Sequence, residues 1–140
     1  MSRTWRDGFV SGSTNPSTEK LFDQLDGMLA PGESVRLVAV PFQMYDEFGT
    51  LLKFPLALGV TTRRVVVIRK KLTGTKALQW PILDFSAYAV DLFMGGGPMW
   101  EVVERVQRGQ LKFVFKTHDE AEAVAEYINS GVAFAREGIE

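Results

Sequence analysis

The chain contains no cysteine, one histidine and no hydrophobic run as long as a membrane span. Without cysteine there is no disulfide framework, no thiolate metal site and no thiol nucleophile, and the composition fits a reducing, cytoplasmic setting. His118 stands alone, so a metal cluster built on several histidines is excluded. A span needs about 20 apolar residues, so the expectation is a soluble protein. The start, MSRTWRDGFVSGSTNP, also lacks the apolar stretch of a secretory signal. Excess charge of either sign is missing too. With 16 Lys+Arg against 17 Asp+Glu the formal charge is −1, which removes the basic footprint that nucleic-acid binding requires.

What is present is 46% hydrophobic content over 140 residues, enough for one domain with one core. The charges are segregated. Between Thr50 and Leu83 every charged residue is basic, whereas from Thr117 onward six carboxylates face only Arg136. A basic middle and an acidic end point to internal complementarity or to contact between copies.

Residues 1–14 are polar and rich in Gly and Ser, and read as a flexible tail in which Trp5 can dock. The remainder, 15–140, reads as a single domain. Asn15-Pro16 is a helix start, and Leu21, Phe22, Leu25, Met28 and Leu29 share one face of a helix predicted over 16–30. Pro31-Gly32 stops it. From about 34 to 116 the period becomes that of strands. Extended runs at 35–42, 51–60, 64–70, 77–83, 85–90, 100–106 and 111–116 are separated by turn residues. Thr117-His118-Asp119-Glu120 is a capping box, and Ala121, Val124, Ala125 and Ile128 form the buried stripe of a helix over about 118–136, with Gly131 as a stop or kink. Helix, seven strands at hairpin spacing, helix describes a sandwich or barrel.

That order, together with LALGVTTRRVVVIRKKLTG, resembles the bacterial pleckstrin-homology-like domains, a group related to GRAM domains. The element they share is a strand ending in Val-x-Thr, a tight turn, then Arg leading an apolar strand, here Val60-Thr61-Thr62-Arg63-Arg64-Val65-Val66-Val67-Ile68. Pro31-Gly32-Glu33 before the first strand and Trp80-Pro81-Ile82-Leu83-Asp84 before the fifth are also similar, while Thr62 departs from the more usual Asn, Asp or Lys. The resemblance covers roughly residues 20–130 and implies an antiparallel, orthogonal seven-stranded β-sandwich or partly open barrel capped by the C-terminal helix. The N-terminal helix is an addition. Thr61 is expected to bond the turn backbone, and Arg64 to lay its stem on apolar surface with its head in water.

Catalytic, cofactor-binding and metal-ligating sets are all absent from the expectation. Glu101 and Glu104 fall on opposite faces of a strand, and Asp119-Glu120 suits a helix N-terminus. The glycines of DLFMGGGPMW do not open a helix and are followed by Pro98, which has no N–H, so they are not a phosphate loop. They read instead as a hairpin turn with apolar shoulders. Leaving Phe93, Met99 and Trp100 in water forfeits about 1.5–3 kcal/mol each. One shoulder is therefore expected in the core and the other under a second cover, either the N-terminal helix or another chain.

The reading is a non-catalytic bacterial interaction or self-assembly module, a homo-oligomer or a partner of another protein, with Phe93, Met94, Met99 and Trp100 as interface residues. The alternative is weak attachment to anionic membrane or lipid headgroups through a basic turn of Lys53, Arg69, Lys71 and Lys76. Asp46 and Glu47 in the neighbouring loop are expected to neutralise Lys71 or Lys76.

Overall fold

The computed structural model describes residues 5, 8–9, 16–41, 43–46, 48–53, 56–71, 73–94, 97–106 and 109–137; at 53, 88–94, 97–106, 109, 134 and 136–137 it describes the backbone only. The first helix, α1, spans Pro16–Gly27 and buries Leu21, Phe22 and Leu25, whose spacing of three and four sets them on one stripe. It ends three residues before the expected boundary. The Met28 N–H bonds to Leu25 O at 3.0 Å, a three-residue closure that tightens the last turn.

The strands are β1 (Val35–Ala39), β2 (Gln43–Tyr45), β3 (Leu51–Lys53), β4 (Leu56–Thr61), β5 (Arg64–Lys70), β6 (Thr75–Pro81), β7 (Ala87–Met94), β8 (Gly97–Val106) and β9 (Gly109–Phe115), with α2 (His118–Glu137) closing the order. One sheet runs β1-β4-β5-β6 and the other β3-β2-β9-β8-β7, with antiparallel pairing between all these neighbours. No strand pair joins the sheets among the described residues, so the sandwich is open and not a closed barrel. Among the described residues nine strands appear where seven are expected: the run expected at 51–60 divides into β3 and β4, which lie in different sheets, and β2 forms at 43–45, beyond the run expected at 35–42. Pro41 lies in the break between β1 and β2. Proline cannot donate to a ladder, and the strands that turn corners in orthogonal packing are broken in this way. Ile82–Asp84, expected partly as strand, is a 3-10 turn.

The main core lies between the sheets. Leu37, Leu58, Val65, Val67, Phe113 and Phe115 meet Ala121, Val124, Ile128 and Val132 from α2, which plugs one end. The helix continues through Gly131, where Ile82 passes 3.5 Å from the place a Cβ would take.

A second core covers the outer side of the four-stranded sheet. There Leu21, Phe22 and Leu25 of α1 pack with Val38, Ala57, Val66 and Ile68. The unbroken apolar run Val65–Ile68 is thereby explained: odd positions face the main core and even positions face α1. Gly59 admits the helix, since a Cβ there would lie 2.3 Å from Leu25 Cδ2. Because α1 sits on this sheet, it does not provide the second cover expected for the β7–β8 hairpin. Trp5 belongs to the same core and is 2% exposed.

Candidate functional site

The turn between β4 and β5 is built around Thr61, which is fully buried. Its Oγ accepts the N–H groups of Arg63 at 3.1 Å and Arg64 at 3.0 Å, and donates to Glu33 Oε2 at 2.6 Å. Arg64 extends a two-point fork onto the same carboxylate, Nε to Oε2 at 2.9 Å and Nη2 to Oε1 at 3.0 Å. Nη2 also reaches Met28 O at 2.7 Å, and Nη1 bonds Gln79. Ala30 N–H completes the set on Oε1 at 2.9 Å. Each Glu33 oxygen thus accepts two hydrogen bonds, the full capacity of a carboxylate.

The Glu33 side chain is 1% exposed and that of Arg64 19%. Burial pushes the Glu33 carboxyl up, but the bonds from Arg64, Thr61 and Ala30, with the guanidinium charge, outweigh it and hold the group below the ordinary carboxylate range. The Arg64 head is therefore not in water as expected; it ties the end of α1 to β4, β5 and β6. Glu33 was legible only as part of the Pro-Gly-Glu sequence, because its partners lie 28 and 31 residues away.

Beside this node lies an open cleft of about 580 Å³ lined by Met28, Arg63, Gln79, Trp80 and Pro81. Arg63 donates to Pro31 O at 3.3 Å from its rim.

At the far end of β5, Arg69 pairs directly with Lys76 and Lys70 with Thr75. Lys70, Lys71 and Lys76 are exposed and carry no ion pair among the described residues. The ladder between β4 and β5 ends at Leu56 opposite Arg69, and Lys53 lies beyond the break, opposite Gln43 in the other sheet; its side chain is outside the described residues. Asp46 does not turn to the lysines. It accepts Phe48 N–H at 2.9 Å and Thr50 N–H at 2.8 Å, closing its own turn and leaving Phe48 85% exposed.

In the β7–β8 hairpin, Asp91 pairs with Trp100, Leu92 with Met99, Phe93 with Pro98 and Met94 with Gly97, so only Gly95 and Gly96 separate the strands. The side chains of Phe93, Met94, Met99 and Trp100 are outside the described residues, but register assigns their faces. Trp100 stands opposite Phe115, and Val102 opposite Phe113, both core residues. Positions 93 and 100 therefore lie on the core side of the ribbon, and positions 94 and 99 on the other. The third strand stops at Phe115 opposite Trp100, so 97–99 have no β9 partner.

Pro98 fits this end point. Ala87 turns both backbone groups away from β8, to Asn129, and it pairs with Glu104. By alternation, even-numbered β8 residues direct their backbone groups towards β9. A proline at 98 removes the N–H that a continued β9 would need.

No family model and no curated protein matches the chain. Among solved structures, the pleckstrin homology domain from Shewanella amazonensis SB2B superposes with a TM-score of 0.52 at 17% identity, over 81% of this chain and 96% of that one. The fold is that of pleckstrin homology domains. An N-terminally truncated linker–DH/PH region of p115-RhoGEF gives a TM-score of 0.50 at 8% identity, over 94% of this chain and 38% of that longer one. At these identities the likeness is one of fold.

Within this pleckstrin homology fold, α2 closes one end of the sandwich, the turn at 46–50 joins β2 to β3, and the turn at 71–74 lies at the end of β5 remote from the Glu33 node. Among the described residues no group of three His, Asp or Glu side chains is placed to hold a metal. No described helix is long and apolar enough to cross a membrane. His118 pairs with Glu122 at 2.5 Å along α2. Thr117 Oγ caps the Glu120 N–H at 3.2 Å and bonds the Glu120 carboxylate at 3.1 Å. These residues start a helix.

Proposed function

We propose that the protein is a non-catalytic interaction module that self-associates through the tip of the β7–β8 hairpin. The observation that carries this reading is the overhang: residues 97–99 run past the end of β9 as a two-stranded ribbon. A bare two-stranded ribbon is marginal in water, and β7 is also the edge of its sheet, the position that templates pairing. Register supports a division of labour, with Phe93 and Trp100 on the core side and Met94 and Met99 on the side that meets a second copy. Identical chains are the commonest partners in soluble assemblies.

A second reading rests on the adjacent basic pair Arg69–Lys76 and the exposed Phe48 on its rigid turn. Basic residues near an anionic surface contribute about 1 kcal/mol each in a salt-dependent way. One set of measurements separates the two. Light scattering over micromolar concentrations is expected to show an oligomer that Met99→Asp converts to monomer while Lys71→Glu/Lys76→Glu leaves it intact. A strict monomer in the parent protein overturns the first reading. Salt-sensitive co-sedimentation with phosphatidylserine vesicles, lost in the lysine variant, would then establish the second.

A further inference from the structure

Trp5, Gly8 and Phe9 are seated on the fold as residues of a peptide ligand are. Trp5 is buried against Phe22 with ring centroids 4.8 Å apart, and its indole N–H donates to Asp23 Oδ1 at 2.9 Å. Phe9 meets both rings edge-on at 6.0 Å. The Phe9 backbone forms a parallel bridge with Val38 on β1, the edge strand of the four-stranded sheet. Gly8 marks the closest approach, since a Cβ there would lie 2.8 Å from Arg36 O and 3.0 Å from Leu37 Cα. An aromatic anchor with a bonded polar tip, main-chain pairing to a sheet edge and a glycine where backbones touch are together the elements of extended-peptide recognition.

We propose that this groove between α1 and the β1 edge also receives Trp5, Gly8 and Phe9 from a second copy of the chain, by exchange of N-terminal arms. Six uncharged residues, VSGSTN at 10–15, connect Phe9 to Pro16. Every contact made within one chain is reproduced between two, so the balance is set by the tether alone. A short tether holds its arm at an effective concentration on the order of mM. Capture within the chain wins below that value, and exchange wins where copies are concentrated or the tether is shortened. The groove lies on the four-stranded sheet and the β7–β8 tip on the five-stranded one, so this inference does not rest on the hairpin reading.

The absence of cysteine makes a direct test free of background. Full-length Phe9→Cys and Val38→Cys chains, mixed and oxidised, are expected to form the mixed disulfide between chains, because paired positions on neighbouring strands lie within disulfide reach. Its yield rises with concentration from ~10 µM to ~1 mM. Deleting Ser11–Ser13 from the otherwise intact chain is expected to raise the dimer fraction about tenfold at ~10 µM, as shortened hinges favour swapping. The deletion is also made in a Met99→Asp chain, where an exchanged dimer persists. A folded deletion chain that stays monomeric at ~1 mM, or a dimer that Met99→Asp dissolves, would overturn the proposal.

Discussion

The side-chain amide of Asn129 holds both backbone groups of Ala87, donating from Nδ2 to Ala87 O at 2.7 Å and accepting Ala87 N–H on Oδ1 at 2.9 Å. The helix that plugs the sandwich thus occupies the first edge position of β7 as a neighbouring strand would. By alternation, Ala89, Asp91 and Phe93 turn their backbone groups to the same outer side, beyond this clamp.

Replacing Asn129 by Ala leaves both Ala87 groups without these bonds. At about 0.5–1.5 kcal/mol for each hydrogen bond, the variant is expected to lose roughly 1–3 kcal/mol in urea unfolding, with faster hydrogen exchange at the Ala87 amide. Unchanged exchange there would show that the amide does not anchor the edge.

Glu33 contributes a pH dependence whose sign follows from its lowered folded pKa. The stabilisation is fully present above the unfolded carboxylate range, near pH ~4.3, and is lost as pH falls through the folded value. Glu33→Gln leaves the largely buried Arg64 guanidinium without its counter-charge, so a loss of about 3 kcal/mol is expected at neutral pH. The gap to the parent narrows below about pH 4. A gap of constant size between pH 7 and about pH 3 would contradict this role for the carboxylate.

Gly59 and Leu25 form a complementary pair across the second core. Gly59→Ala drives a methyl into Leu25 Cδ2 and is expected to cost about 1–3 kcal/mol; Leu25→Ala costs about 2–5 kcal/mol by leaving a cavity. The double variant is expected to be more stable than the sum of the two losses by at least about 0.5 kcal/mol, because the new methyl enters the vacated space. Strict additivity in thermal or urea unfolding would show that the helix relaxes away from the sheet instead.

Much of the fold was legible because its signals are local. The β-branched run in 64–70, the turn residues between strands and the capping box at Thr117 each act within a few residues, and the elements they specify are present. The candidate site was less legible. Thr61 was readable as a turn residue, but the carboxylate it serves comes from the far side of a strand pair. The basic turn was readable because Arg69, Lys70, Lys71 and Lys76 fall in one short stretch, whereas the break that sets the Lys53 backbone in the other sheet is not a local property.

From its residues alone, then, the chain determines two helices, a succession of antiparallel strands and a glycine hairpin turn, since side-chain period and turn chemistry are properties of adjacent residues. Only the tertiary structure decided that the chain changes sheet after β1 and again after β3, that α1 and Trp5 cover the four-stranded sheet rather than the hairpin, and that Glu33 gathers Thr61 and Arg64 into one buried node. Those outcomes depend on which surfaces meet after collapse. Burial is paired across tens of residues, and no local pattern carries the identity of the surface on the other side.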